Sequence, residues 1–299
     1  MNYELKFSME VIKDLIEIDI DLYRENYDDL KRLSIEELYN HYARHGYGEG
    51  RVCHQLSLRE NFIYIDNGLN CLEIGPFANP AIVNKNVKYL DVLSTDDLKK
   101  RAKEHNLPPG RTPKIDFVSE DGSLNVIKEK FDVIFSSHNI EHQPDLIRHL
   151  NEVYDTLNSN GVYKMIVPNC AYCFDAYLAP SKISEIILAN YLQLKTHTVA
   201  KVIEHRALTV HNDSLEHWKD AFSGKREYKK IDVNRVGESI REFEKAKGDY
   251  IDVHSWQFMP HTFSDILNSL IKLNIIRFNG VKCFGPVYGR NEFCVELSK

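Results

Sequence analysis

Between residues 70 and 169 five short apolar runs alternate with helical patterns, and this rhythm restricts the fold more than any other feature. The runs are residues 70–74, 87–92, 115–118, 131–138 and 161–169. Each is of strand length, and the spacers are long enough for a crossover helix. Strands joined in this way lie parallel, in right-handed βαβ units. Two further strand patterns follow at residues 275–284 and 292–297, joined by the turn-forming stretch 285–291, and read as a terminal antiparallel hairpin. Before them, Thr262 or Ser264 caps a helix running through Ile266, Leu267, Leu270 and Leu273. The expected class is α/β, a Rossmann-like seven-stranded and mostly parallel sheet ending in that hairpin.

In open sheets of this kind ligands sit beyond the carboxyl ends of the strands. The first such end is Glu73-Ile74-Gly75-Pro76-Phe77-Ala78-Asn79-Pro80, where Gly75 permits a tight turn and a close backbone approach. Read alone, it is equally a plain strand–loop–helix corner. There is no G-x-G-x-x-G, which separates the chain from the dinucleotide-binding dehydrogenases.

The chain resembles the class I S-adenosylmethionine-dependent methyltransferases. The resemblance rests on Glu73-Ile74-Gly75, Asp91, Glu120-Asp121, the run Phe131-Asp132-Val133-Ile134 through Ser136-Ser137-His138-Asn139-Ile140-Glu141-His142, and Asn158-Ser159-Asn160-Gly161. It implies S-adenosylmethionine as cofactor. Gly75, Pro76 and Phe77 would pass close to the methionine end, and Glu73 would orient that loop and reach the ammonium through water. Asp91 would accept both ribose hydroxyls, and Glu120 or Asp121 the adenine amino group. Ser137 and His138 would face the methionine part, with His142 near the transferred methyl; alternatively, Glu141 and His142 merely open the helix through Leu146 and Leu150. The family commonly has a second glycine two residues after Gly75, where this chain has Phe77.

With 299 residues there is length for one large domain and a small appendage, expected at 59–299 and 1–58. A net charge of −6 argues against broad nucleic-acid binding. The six cysteines are sparse, and Cys71 and Cys294 fall inside strand patterns, as reduced core thiols do. No cleavable signal or membrane-spanning run is visible, so a cytoplasmic protein without a membrane span is expected. Residues 1–58 read as a helical unit, with Ser34 starting a helix and a glycine-rich stretch, His45 to Arg51, ending it. Its Asp21-Leu22-Tyr23, Leu38-Tyr39-Asn40-His41-Tyr42 and Gly46-Tyr47-Gly48-Glu49-Gly50-Arg51 are similar to a small element beside bacterial sugar-transfer domains. The unit is expected to be dispensable for cofactor binding.

Residues 171–253 are too long for a simple connection and carry helical patterns at 183–194, 198–209 and 231–247, as a helical lid would. Cys170-x-x-Cys173 has no second pair at zinc spacing, and His197, His205, His211, His217, His254 and His261 are irregularly spaced. They read as scattered helix-surface histidines, with no metal. Pro168-Asn169, Tyr172-Cys173-Phe174-Asp175, His197-Thr198 and His254-Ser255-Trp256-Gln257-Phe258 resemble methyltransferase domains of bacterial surface-polysaccharide gene clusters. That subgroup implies O-methylation of a sugar in a glycan or its nucleotide- or lipid-linked precursor, with a glycosyltransferase as possible partner. His254 is the first choice of base and His142 the second, a near-neutral pKa suiting the task. Tyr172, Phe174, Trp256 and Tyr288 would line the acceptor site. The competing class is an inactive methyltransferase-like binding module that partners a glycosyltransferase.

Overall fold

The computed structural model describes residues 7–224 and 229–299, so residues 1–6 of the N-terminal unit and 225–228 of the insertion lie outside the described residues. Seven strands form one sheet: β1 (Cys71–Ile74), β2 (Val87–Asp91), β3 (Phe117–Val118), β4 (Phe131–Ser137), β5 (Leu157–Pro168), β6 (Gly280–Phe284) and β7 (Glu292–Ser298). Their order is β3–β2–β1–β4–β5–β7–β6. All pairings among β1 to β5 are parallel, whereas β7 runs antiparallel to both β5 and β6. The expected architecture is therefore the one observed, with different strand ends. β3 is short because the Asp116 side chain accepts from Tyr89 N at 3.0 Å and Asp116 N bonds Tyr89 O at 2.9 Å before the ladder proper. β5 starts at Leu157, paired with Phe131 across an irregularity in the register. β6 starts at Gly280, because the amides of Ile275 and Ile276 fold back onto Leu270 O.

Alternation along the strands sends side chains to two faces. Leu72, Ile74, Leu90, Ile134, Met165, Val167, Val295 and Leu297 pack with the helices Leu146–Thr156 and Pro260–Lys272. Cys71, Val133, Phe135, Ile166, Phe284 and Cys294 pack on the other side with Phe62, Ile65 and Ile82. The helix Leu146–Thr156 begins on Asp145, whose carboxylate accepts from Arg148 N at 2.9 Å. All six cysteines are buried, and none is disulfide-linked among the described residues. No helix among them is long and apolar enough to cross a membrane.

The N-terminal helices Met9–Leu15, Ile20–Asn26 and Ile35–His41 join the larger core. Ile12, Ile16, Tyr23, Leu38, Tyr42 and Tyr47 share one apolar cluster with Phe263, Leu267 and Phe293. Glu17 N bonds Cys283 O on the edge strand β6 at 2.8 Å, and Tyr47 Oη meets His261 Nδ1 at 2.7 Å. Gly50 ends the unit at φ +65°, where a Cβ would stand 2.5 Å from Tyr288 N. After β5 the chain inserts four helices, Ile183–Tyr191, Val199–Ala207, Ser214–Ser223 and Val233–Ala246. The third was not expected from the sequence, and it carries the buried Trp218. Asn190 Nδ2 reaches both Asp145 oxygens at 3.1 Å, tying the first inserted helix to the core.

Candidate functional site

The carboxyl ends of β1, β2 and β4 lie side by side on one edge of the sheet. Gly75 leaves β1 at φ +69°, and a Cβ there would lie 2.9 Å from Asn139 Nδ2. Phe77 stands at φ +47°, the left-handed region that glycine favours. The departure at this position is thus in the side chain alone; the loop keeps a glycine's backbone. The Phe77 ring packs beside Tyr89, Leu98 and Ile115. Pro76 is buried, and its carbonyl accepts from Asn79 N at 3.1 Å.

Glu73 is buried, and its two oxygens accept from Ala81 N at 2.8 Å and Ile82 N at 2.9 Å. Those bonds tie it to the loop after β1, and burial pushes its pKa up to about 7 against the two amides. Asp91 is also buried at the end of β2, where burial raises its pKa while the amides of Leu93, Phe77 and Val92 oppose the shift. Asp121 is occupied by Ser123 N at 3.1 Å and Ser119 Oγ at 3.2 Å, which leaves Glu120 the more open adenine-side carboxylate. A loop stripped of one Cβ, a carboxylate at the end of β2 and an acidic turn after β3 fit S-adenosylmethionine.

Ser137 and His138 are held from below by Arg59 and Glu292. Arg59 donates to Ser137 Oγ at 3.0 Å and to Glu292 Oε2 at 2.9 Å, and His138 Nε2 lies 2.9 Å from the same oxygen. Burial opposes charge on the His138 ring, but Glu292 and Glu141 outweigh it and keep its pKa raised.

The centre of the site is Glu141. Its residue is 0% exposed, and neither carboxylate oxygen has a hydrogen-bond partner. Three imidazoles surround Oε1 at contact but not bonding distance: His142 Nε2 at 3.7 Å, His254 Nε2 at 3.8 Å and His138 Nδ1 at 3.9 Å. His254 turns its other nitrogen, Nδ1, to Asp175 Oδ2 at 2.7 Å. Burial pushes His254 down to about 4 and Asp175 up to about 6. His254 thus lies well below the near-neutral value expected of a base from the sequence, and Nε2 is the ring nitrogen left facing Glu141. His142 Nδ1 lies 3.0 Å from Asp252 Oδ1, and Asp252 also meets Arg101 at 2.7 Å. Burial works against charge on His142, but Asp252 and Glu141 raise its pKa. The amides of Ser255 and Trp256 dock on Glu141 O at 2.7 and 3.2 Å, so the chain returning from the insertion closes this centre.

Of the histidines expected to be scattered over helix surfaces, His211 is exposed, whereas His197, His217, His254 and His261 are buried. His217 stacks on His211 and His261 meets Tyr47, away from Glu141, but His197 bonds Ser255 Oγ at 2.7 Å and His205 receives His254 N on Nδ1 at 3.1 Å. For these last histidines irregular spacing concealed a tertiary convergence. His142 lies in a short 3-10 turn, Ile140–His142, and the following helix starts only at Leu146. Of the expected acceptor-side aromatics, Phe174 touches His254, with ring centroids 4.7 Å apart. Trp256 is buried, its indole N–H donating to Gln143 O at 2.7 Å. Tyr172 stacks on Trp218 at 3.6 Å, and Tyr288 joins that same group at 5.5 Å from Trp218. Sequence reasoning did not assign Glu141, Asp175, Arg59 or Glu292 to the site. For Glu141 a signal existed, an acid flanked by His138 and His142 in a single turn; for Arg59 there was none.

Residues 72–165 match the family model described as a methyltransferase domain. No curated protein matches the chain. Among solved structures, one described as a possible histamine N-methyltransferase from Thermotoga maritima aligns over 93% of this chain and 98% of its own, at 12% identity and a TM-score of 0.38. An S-adenosylmethionine-dependent methyltransferase from Mesorhizobium loti aligns over 80% and 95%, at 14% identity and 0.40. For the CcbJ methyltransferase from Streptomyces caelestis the figures are 42% and 53%, at 16% identity and 0.28, so the chain spans about half of that protein.

Proposed function

We propose that this chain, a class I S-adenosylmethionine-dependent methyltransferase, methylates a sugar hydroxyl of a surface glycan or its precursor. The observation that carries the reading is Glu141 Oε1, buried and without a hydrogen-bond partner, facing His254 Nε2 at 3.8 Å, too far for the two to bond each other. A hydroxyl hydrogen directed into that gap would be received there. The polysaccharide assignment itself comes from the sequence resemblance to surface-polysaccharide gene-cluster domains, and a glycosyltransferase is the partner that resemblance implies.

Bound S-adenosylmethionine supplies an electrophilic methyl group on sulfur. The residues of this chain bind, orient and manage a proton. Gly75 to Phe77 would give the cofactor a backbone-lined loop, Asp91 would take the ribose diol, Glu120 and Asp121 the adenine side, and Ser137 and His138 the methionine side. Asp175 fixes the His254 tautomer so that Nε2 faces inward, and the flanking ring of Phe174 offers an apolar wall to a sugar. Tyr172 and Tyr288, grouped on Trp218, are assigned to a more distal part of a glycan, and Trp256 to holding the returning chain on Gln143. His142, raised in pKa between Glu141 and Asp252, positions rather than accepts.

His254→Ala tests the reading. A positioned base contributes roughly 10²–10⁴ in rate. The variant is expected to lose methyl transfer to glycan hydroxyls by about that factor while holding S-adenosylmethionine within a few-fold of wild type. Wild-type turnover in His254→Ala contradicts the assignment.

A further inference from the structure

We propose that Glu141, His142 and His254 form a binding site for a divalent transition-metal cation. A buried carboxylate with neither oxygen bonded is costly unless something charged or donating meets it. What meets Glu141 is three imidazole nitrogens, all too far to bond it directly: His142 Nε2 at 3.7 Å, His254 Nε2 at 3.8 Å and His138 Nδ1 at 3.9 Å, of which the first two close with Glu141 into one ligand group. Two ligands about 2.1 Å from one ion stand about 3.4 Å apart at the tetrahedral angle, so a small inward movement closes the set on a cation. The outer nitrogen of His254 is hydrogen-bonded to a second carboxylate, Nδ1 to Asp175 at 2.7 Å, while His142 Nδ1 lies 3.0 Å from Asp252 as an ion-pair contact without hydrogen-bond geometry. That carboxylate–histidine arrangement is how metal-binding imidazoles are oriented and made more basic. Two histidines and one carboxylate form a ligand set for first-row transition cations that leaves positions open for a further oxygen. His205 and Asp175 also approach His254, but His205 Nδ1 takes the His254 amide and Asp175 the His254 ring, so both belong outside the ligand set.

This inference rests on the methyl-transfer reading above, for the oxygen completing the ion's shell would be the acceptor hydroxyl; with the ion bound, His254 Nε2 holds the metal rather than the proton, which would leave to the uncoordinated oxygen of Glu141. Its test is independent of turnover. Full-length protein is stripped with a chelator, then titrated with Co²⁺ followed by its visible absorption, and with Zn²⁺ by calorimetry. One equivalent should bind, with a spectrum of mixed nitrogen and oxygen ligation and a raised melting temperature. Glu141→Gln and His254→Ala should each abolish the spectrum, and Asp175→Asn should weaken affinity by about 10–100-fold as an outer partner. Absence of binding in the wild type, or an unchanged spectrum in Glu141→Gln, overturns the site. Should Glu141→Gln fail to fold, the wild-type stoichiometry and the Asp175→Asn affinity decide. A wild type that binds no metal yet methylates a glycan overturns this inference alone; one that binds metal but methylates no hydroxyl overturns the functional reading and leaves the ion site standing.

Discussion

Asp91 is a buried carboxylate whose neighbours are three backbone amides, so removing it takes away a loop anchor and, on the proposed reading, the ribose acceptor. Asp91→Ala should weaken S-adenosylmethionine binding by about 1.5–3 kcal/mol, roughly 10- to 150-fold in Kd, measured by calorimetry. Unchanged affinity would remove Asp91 from the cofactor site. Glu73 carries a different signature, since its folded pKa of about 7 lies above its ordinary value of 4.5. The stability linked to this group is fully present below its unfolded pKa and is lost as pH rises through about 7. Between about pH 5.5 and 8 the wild type should lose about 2 kcal/mol relative to Glu73→Gln, read by chemical denaturation. A difference that does not change with pH would mean the carboxyl titrates normally. Phe77 was legible in the sequence only as a departure, because φ +47° is not written in residue type. Glu141 was visible but read as a helix opener, since an acid ahead of an apolar pattern is the ordinary sign of a helix start.

At the scale of elements, the alternation of strands and helices was legible because burial on both faces leaves each parallel strand a short apolar run. Boundaries were not: Ile275 and Ile276 look like strand residues, yet their amides serve the preceding helix end. Nor was the role of the N-terminal helices. Their aromatics were visible at helical spacing, but nothing in residue type says that they cover the helix Pro260–Lys272 and the edge of β6. Contrary to the sequence expectation of a dispensable unit, deleting residues 1–58 should yield aggregated protein. It uncovers an edge strand at Cys283 O and leaves His261 without Tyr47. A soluble truncated chain that melts cooperatively and binds S-adenosylmethionine would overturn this.

Across the whole molecule, the segment returning from the insertion joins the parts. Asp252 bridges Arg101, on the helix after β2, to His142, and the next residues dock on Glu141 O. The helix carrying Arg101 and the Ile140–His142 turn are thus joined through the Asp252 side chain and the Ser255 and Trp256 amides of one returning segment. This convergence was illegible in sequence, because His142, Asp175, His205 and Asp252–His254 come from separate stretches whose meeting depends on how the inserted helices pack. The central claim is that the methyl group goes to a sugar hydroxyl at the Glu141–His254 centre. The most direct measurement supplies full-length protein with methyl-labelled S-adenosylmethionine and a panel of glycans and sugar nucleotides, then locates the label by mass spectrometry and NMR. The account predicts an O-methyl ether on one sugar position, formed by the wild type and reduced by about 10²–10⁴ in His254→Ala. Label found on a nitrogen or a carboxylate, or transferred equally well by that variant, would contradict it.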